Sequence, residues 1–410
     1  MEDVIFGGYF VNIDSKTVKV IALTAITTAL VTSTVKDVIY VQYNGFVKNK
    51  VNKVANVIKN YSLYDVDEEK LADFAAAGMS TALDDVYSNY FTKEQFDSFK
   101  TTLSNSFYGV GIVISADKEL NKLVVVSPTE GGPAASAGIL PGDYIIAVDG
   151  VEYTGEEMNQ AVSHLRGDDI LEKAGTTVDV TVERNGEIMY FTITRDVVMV
   201  DSVSEKMLDN GIGYIRITAF NSAEGSVEKA ITTYDEFMES LKKLQDSGMQ
   251  KLVIDLRNNP GGSLDVVNKI ADELLPEGVI TYTVDKNGQR YDYTSEGSEL
   301  GIPMAVLVNG GSASASEVLT GALKDYKRAT VIGTKTFGKG VVQTVIPFTD
   351  GSGMSVTTSK YYSPNGVCIH GVGIEPDVVV EMDESKQISE LLFEEDLQLQ
   401  KAIELLNLNK

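Results

Sequence analysis

The sequence predicts an α/β protein with several domains, and three observations support this fold class. From Gly211 onward, apolar strands alternate with segments of helical periodicity, a pattern typical of a sheet built from crossover units. Before that point, residues 107–198 consist of short strands and turns, and residues 37–106 carry apolar side chains at helical spacing. A chain of 410 residues is also long enough to form more than one core.

Composition excludes several classes of function. A formal net charge of −24 argues against nucleic acid or an anionic membrane surface as a partner, because both require a basic patch. The single cysteine, Cys368, excludes an internal disulfide and argues against a thiolate metal site. The two histidines, His164 and His370, are interpreted as structural residues, which favours a lysine over a Ser-His-Asp triad as the source of a base. We expect no metal and no cofactor.

The N-terminal residues contain a candidate membrane segment. Residues 20–35 form an uncharged run of 16 residues, slightly shorter than the ~20 residues of a spanning helix. A membrane anchor, a cleaved signal peptide and a buried helix compete as interpretations, and we favour an anchor at 16–36 because no small-x-small cleavage site follows. Lys16 and Lys19 would keep residues 1–15 in the cytoplasm and place the bulk of the protein outside the cytoplasm. If the segment is cleaved, the protein is secreted.

The next segment, 37–106, is predicted to be helical. Val51, Val54, Val57 and Ile58 share one helical stripe, and Asp67 is a good N-cap for a following helix. We extend the helical prediction to Ser106.

Residues 107–198 show the features of a peptide-binding module. The glycine-rich loop Tyr108, Gly109, Val110, Gly111 and Ile112 opens a strand, and Gly138-Ile-Leu-Pro-Gly-Asp143 forms a turn before a second strand. Together they resemble a PDZ domain, in which the Gly-x-Gly loop offers backbone N–H groups to a peptide carboxylate. The edge of the strand then accepts the peptide as an added strand.

A run of small residues, Gly311-Ser-Ala-Ser-Ala-Ser-Glu317, is the first candidate site. Apolar residues at helical spacing follow it, which places the serines at a helix N-terminus. Unpaired N–H groups and the helix dipole would stabilise an oxyanion there. Ser314 and Glu317 also fit a capping box, and the sequence leaves capping and catalysis open, since the two can coexist.

A second segment, Phe337-Gly-Lys-Gly-Val-Val-Gln343, supplies a candidate base. If residues 339–345 are extended, Lys339 and Gln343 lie on one face, and Gln343 could hold the amine. A lysine can activate a serine only if burial leaves the amine neutral. Residues 333–339 also match most of a phosphate-binding loop, but Gly340 replaces the required Ser or Thr, and a strand-like run follows instead of a helix.

The stretch Asp255-Leu-Arg-Asn-Asn-Pro-Gly-Gly262 follows a buried strand and turns sharply into a helix. Strand, glycine turn and helix N-terminus together form a nest of N–H groups that binds negative charge. A purely structural turn is the alternative, because Pro-Gly is a generic turn signal.

These three motifs together resemble the carboxyl-terminal processing (tail-specific) serine peptidases. The resemblance runs from about residue 50 to the end and implies a crotonase-like core with an inserted PDZ domain and an N-terminal helical segment. It further implies that Ser314 is the nucleophile, Lys339 the base and Gln343 its partner. The N–H groups of Gly262 and Ala315 would form the oxyanion hole.

The resemblance also suggests a possible homodimer through the N-terminal region. It further suggests that Arg166 couples the PDZ domain to the core; residues 168–174 are an insertion after it, and a solvated surface arginine is the alternative. The peptidase core is predicted at 199–383 and a C-terminal helix at 384–410.

The sequence therefore predicts a serine endopeptidase with a Ser-Lys dyad. It would cleave exported proteins at or near unstructured C-terminal tails that the PDZ domain holds. The alternative is a PDZ scaffold that binds peptides and has lost catalytic activity.

Overall fold

The computed structural model describes residues 2–6, 9–13, 45–103, 106–117, 119–129, 131–167, 175–223, 231–382 and 395–408. The predicted anchor at 16–36 and the insertion at 168–174 lie outside these ranges. The chain divides into two compact units, Met1–Asp84 and Asp85–Lys410.

The described part of the first unit contains a two-stranded hairpin and two helices. They are β1 (Glu2–Phe6), β2 (Tyr9–Ile13), α1 (residues 45–61) and α2 (Glu68–Thr81). The predicted cap at Asp67 is confirmed, because its carboxylate accepts hydrogen bonds from the backbone N–H groups of Glu69 and Lys70. Within the described ranges, every helix is too short or too polar to cross a membrane.

The second unit begins with β3 (Asn89–Phe91), α3 (Lys93–Leu103) and β4 (Ser106–Gly109). The prediction of helical structure through residues 83–91 is therefore wrong. Asp84 has a positive φ of 54°, which does not occur inside a right-handed helix. Residues 89–91 instead pair with Gly353–Ser355 at the edge of a distant strand, a long-range contact that local periodicity does not report.

The region from 112 to 199 is rich in strands, as predicted. Its elements are β5 (Ile112–Asp117), β6 (Lys122–Pro128), α4 (Pro133–Ala137), β7 (Tyr144–Val148), β8 (Val151–Glu152), α5 (Met158–Arg166), β9 (Thr177–Arg184), β10 (Glu187–Thr194) and β11 (Asp196–Met199). An antiparallel sheet has the order β10-β9-β7-β6-β5, with β8 beside β7. Strand β11 leaves the sheet and pairs with β4.

The remaining chain forms the α/β core. Its elements are β12 (Val203–Leu208), β13 (Ile212–Ile217), α6 (Thr233–Asp246), β14 (Lys251–Asp255), α7 (Leu264–Asp272), β15 (Gly278–Asp285), β16 (Arg290–Ser295), β17 (Met304–Val308), α8 (Ala315–Asp325), β18 (Ala329–Gly333), β19 (Val341–Pro347), β20 (Gly353–Tyr362), β21 (Val378–Val379) and α9 (Leu397–Leu408). One sheet has the order β12-β13-β14-β17-β18-β21, parallel except for β12. A second, antiparallel sheet has the order β16-β15-β20-β19, and β3 joins β20.

The parallel sheet is buried on both faces because helices cover each side. Along β17, Met304, Val306 and Val308 belong to the core that contains α6, α7 and α8. The alternate residues, Ala305 and Leu307, pack in the cluster that contains α9. Alternate side chains of a strand point to opposite faces of the sheet, so the uninterrupted apolar run of β17 contributes to two different cores.

The topology of this sheet positions the candidate site. Strands β14 and β17 are parallel neighbours, so their carboxyl ends lie at the same edge. The glycine turn follows β14 and the serine run follows β17, and the two loops therefore meet.

Candidate active site

Ser314 is the N-cap of α8 and has an unusual backbone conformation. Its φ of 54° and ψ of −114° lie outside the regions that side-chain-bearing residues prefer. Such a conformation costs on the order of 1–3 kcal/mol and persists only where the surroundings enforce it. The strained turn places Ser314 in the lining of a cavity of about 540 Å³.

The two flanking serines have structural contacts instead. The Ser312 hydroxyl donates to the carbonyl of Leu256 at 2.8 Å, and the Ser316 hydroxyl donates to the carbonyl of Asn259 at 2.9 Å. Both residues are fully buried. Of the three serines in the run, Ser314 alone lines the cavity.

The glycine turn packs directly against the serine. A Cβ atom added to Gly261 would lie 2.8 Å from the Cβ of Ser314 and 2.9 Å from the backbone nitrogen of Ala315. Gly262 has a φ of 142° and lies against the carbonyl of Phe220. Only glycine permits this approach. Among the described residues, the N–H groups of Gly262 and Ala315 have no hydrogen-bond acceptor, and both residues line the cavity.

A buried carboxylate joins the serine turn to the lysine loop. One oxygen of Glu317 accepts from the Ser314 N–H at 2.9 Å and from the Lys339 N–H at 2.8 Å. The other oxygen accepts from the Gly338 N–H at 2.7 Å and from the Thr336 hydroxyl at 2.6 Å. The bond to the Ser314 N–H is the reciprocal half of a capping box. The cap predicted at this position therefore also connects the serine turn to the lysine loop.

Tyr361 makes a second link between the same two segments. Its hydroxyl lies 3.0 Å from the carbonyl oxygen of Ser314 and 2.6 Å from that of Lys339. Burial raises the pKa of Tyr361 well above its usual range, and the nearby Glu317 carboxylate raises it further. The phenol therefore stays protonated and remains a donor to these carbonyls.

Lys339 is half-buried and lines the same cavity as Ser314. Burial lowers the pKa of its amine, because the charged form loses solvation, while the Asp85 carboxylate raises it in part. No hydrogen bond joins the Lys339 amine to the Ser314 hydroxyl in the part of the chain that the structure describes. The two groups line the same cavity.

Gln343 does not hold the lysine amine. Its side-chain amide donates to the Thr357 hydroxyl at 3.3 Å. Lys339 precedes β19, and the pairing of β19 with β20 shifts between Val342 and Gln343. This irregularity breaks the alternation on which the shared face was predicted, although Gln343 does line the cavity.

The interpretation of residues 333–339 as a phosphate-binding loop is not supported by the local fold. Strand β19 follows this loop, so no helix N-terminus is present to bind phosphate. Its Gly338 N–H and Lys339 N–H both donate to Glu317.

The predicted peptide-binding loop lies at the start of β5. Tyr108 and Gly109 belong to β4, Val110 and Gly111 form the connection, and Ile112 begins β5. The carbonyl oxygens of Val110 and Gly111 accept from Ala134 and Thr129. Among the described strands, β5 pairs only with β6, which leaves its other edge open.

The remaining residues singled out from the sequence, Arg166, His164 and His370, are not part of the cavity lining. Arg166 is the exposed last residue of α5 and precedes the insertion. His164 lies 3.1 Å from the Asp149 carboxylate, and its other ring nitrogen lies 2.9 Å from the Tyr153 hydroxyl. These contacts agree with a structural role for His164. His370 packs against Tyr87, a residue of the cavity wall, in a T-shaped arrangement of the two rings.

Sequence reasoning missed a buried ionic cluster beneath the glycine turn. Arg257 is 1% exposed and bonds the carboxylates of Asp255 and Asp396 at 2.6 and 2.7 Å. Tyr214 donates to Asp255 and has its pKa raised by burial and by that carboxylate. Asp255 and Arg257, two charged residues at the end of the apolar strand β14, were the signal available in the sequence. The second carboxylate, Asp396, lies 139 positions after Arg257, and local sequence does not predict that the two residues meet.

Comparison with known proteins assigns both the α/β core and the strand-rich region before it to protein families. The profile of peptidase family S41 matches residues 211–380, and a PDZ domain profile matches residues 109–194. A third profile, the N-terminal domain of the activating protease CtpB, matches residues 22–95. The fold and the site together define a serine peptidase with a PDZ domain.

The relatives identify the particular group. A probable CtpA-like serine protease of Staphylococcus aureus is 38% identical over 370 residues, covering 86% of this chain and 71% of the relative. The carboxyl-terminal-processing protease of Synechocystis is 36% identical over 335 residues, covering 80% and 75%. This chain belongs to the carboxyl-terminal processing peptidases of family S41. A crystal structure of an S41 protease from Bacteroides fragilis, 19% identical with a TM-score of 0.54, shares the fold over 85% of this chain and 93% of that one.

Proposed function

We propose that this protein is an endopeptidase that uses a Ser314-Lys339 dyad to cleave exported proteins at or near their C-terminal tails. One observation carries the proposal. A strained serine and a half-buried lysine line a single cavity, and Glu317 and Tyr361 tie their backbones together. An arrangement that fixes two loops against each other suits a reaction whose rate depends on the distance between two groups.

In this mechanism the neutral amine of Lys339 accepts the proton of the Ser314 hydroxyl as the oxygen attacks the scissile carbonyl carbon. The tetrahedral oxyanion is stabilised by the N–H groups of Gly262 and Ala315, which supply the two donors that such an intermediate requires. Collapse breaks the C–N bond, and the Lys339 ammonium returns its proton to the leaving amine. Water then hydrolyses the acyl ester by the same route.

The burial of Lys339 supports its role as the base. Because desolvation lowers the pKa of this amine, a larger fraction is neutral at a given pH than for an exposed lysine. We retain Gln343 as a member of the site because it lines the same cavity. The side-chain amide of Gln343 would orient the Lys339 amine only after its hydrogen bond to the Thr357 hydroxyl is broken.

The open edge of β5 and the Gly109–Gly111 loop support tail recognition by the PDZ domain. An extended peptide can add to such an edge while loop N–H groups receive its terminal carboxylate. Arg166 stays a candidate for coupling the PDZ domain to the core. Export of the protein rests on the predicted segment 16–36, and the anchor and the dimer stay predictions.

The test is cleavage of an unstructured peptide with an apolar C-terminus. We expect Ser314→Ala and Lys339→Ala each to abolish cleavage while the protein keeps its melting temperature. Lys335→Ala is the matched control, because this lysine is in the same loop but is exposed and pairs with Glu375. Cleavage that survives either dyad substitution contradicts the proposal. Wild-type protein that binds the tail peptide and never cuts it would indicate a PDZ scaffold.

A further inference from the structure

The Lys339 amine contacts an aromatic ring that comes from outside the peptidase domain. Its nitrogen lies 5.0 Å from the centroid of the Tyr87 ring. This distance is within the range of a cation–π interaction, which favours the protonated amine over the neutral one. Tyr87 lies before β3, in the part of the chain matched by the CtpB N-terminal profile rather than by the peptidase profile.

A carboxylate from the same short segment acts in the same direction. Asp85 interacts electrostatically with Lys339 and opposes the effect of burial on the amine. The Asp85 carboxylate is itself kept ionised, because hydrogen bonds from Ser88, Thr357 and the Tyr87 N–H outweigh its partial desolvation and lower its pKa. The amine therefore lies over the electron-rich face of a ring and is influenced by the negative charge of Asp85.

The segment 85–88 is fastened to the peptidase sheet. Ser88 is buried, and its hydroxyl lies 2.6 Å from the Asp85 carboxylate and accepts from the backbone N–H of Thr357 at 3.0 Å. The Thr357 hydroxyl is also the acceptor for Gln343. Gln343 is thus held by the network that fixes Asp85.

The other polar groups near Lys339 contact its backbone or the residues around it. Glu317 accepts from its backbone N–H, and Tyr361 donates to its carbonyl. His370 packs on Tyr87 and interacts electrostatically with Asp85. Cys368 lies near Tyr361.

We infer that Asp85 and Tyr87 are positioning residues for the base: they hold the Lys339 side chain at the cavity wall and favour its charged form until substrate enters the cavity. The inference rests on the proposed role of Lys339. A peptide in the cavity contacts the same wall, since Val86, Tyr87 and Asn89 all line it. Binding can then separate the amine from the ring and the carboxylate, and the amine loses the two contacts that favour its charge.

The first test is the pH dependence of kcat/KM for Tyr87→Leu and Asp85→Asn. Either change removes a contact that favours the ammonium, so the acidic limb of the kcat/KM profile should move to lower pH. For Tyr87→Leu the expected movement is about 0.5 to 1.5 pH units, the range that corresponds to the loss of a cation–π contact. Asp85→Asn should move it in the same direction. Tyr87→Phe keeps the ring and should leave the limb where it is in the wild type.

The second test does not depend on catalysis. In Ser314→Ala protein, the rate at which acetic anhydride modifies Lys339 is followed against pH by peptide mass spectrometry. Adding Tyr87→Leu or Asp85→Asn should shift this profile by the same amount as the activity limb. Modification profiles unchanged by both substitutions overturn the inference, as does a higher KM for Tyr87→Leu without movement of the limb. If Tyr87→Leu fails to fold, Asp85→Asn decides.

Failure of the proposed function has a different signature. If Lys339→Ala protein still cleaves the peptide, the proposed Ser314-Lys339 dyad is wrong. The modification profile of Lys339 in Ser314→Ala protein tests separately whether Asp85 and Tyr87 hold the amine.

Discussion

The substitution Glu317→Gln tests whether the carboxylate between the two loops organises the site. Each of its oxygens accepts two hydrogen bonds, and the residue is 1% exposed. A glutamine places an NH₂ group at one of these positions, so in either orientation two donors lose their acceptor. A buried donor without a partner costs about 1–3 kcal/mol, which gives a loss of about 2–6 kcal/mol in the free energy of unfolding.

Activity should fall even where the protein stays folded. The loops that carry Ser314 and Lys339 would move to relieve the unpaired donors, and a displacement of ~1 Å at reacting groups can cost about 100-fold in rate. Urea unfolding measures the stability, and kcat/KM on the tail peptide measures the activity. Glu375→Gln is the matched control, because that carboxylate is 66% exposed and pairs only with Lys335 among the described residues. A Glu317→Gln protein as stable and active as this control would refute the argument.

Two further substitutions test the surroundings of the site. Gly261→Ala should reduce kcat by about tenfold or more by forcing the turn away from the serine backbone, because a Cβ there meets backbone atoms at 2.8 to 2.9 Å and φ is 105°. Gly288→Ala, with similar φ strain but open space, should leave kcat unchanged. Asp396→Asn should lower the free energy of unfolding by about 3–5 kcal/mol in urea, because it leaves part of the buried charge of Arg257 uncompensated. The exposed pair at Asp246 is the control, and an equal effect of Asp246→Asn would contradict this reasoning.

The α/β core was predictable because its strands are continuous apolar runs with clear boundaries. Strand β17, from Met304 to Val308, is one example. The place of Ser314 at a helix start was predictable for a similar reason, since small residues precede a periodic apolar segment. Both signals are local, and local signals survive folding when the tertiary environment agrees with them.

Other parts of the site depend on contacts between distant segments. Strand β3 exists because residues 89–91 meet the edge of β20, and the orientation of Gln343 follows from an irregular pairing with the same strand. Tyr361 and Asp85 reach the site from positions that carry no motif of their own. Sequence periodicity contains no information about such pairings, so these residues could be found only in the folded chain.

The antiparallel ribbon of β4 and β11 has a consequence for the architecture of the chain. Gly109 and Asp196 are directly paired, and the ribbon continues from them to Ser106 and Met199. In most hairpins a pair of this kind is closed by a turn of two to five residues. Here the whole PDZ domain occupies the place of that turn. The enzyme is thus a peptidase with one oversized loop, and a short Asn-Gly link across the ribbon would restore an ordinary hairpin.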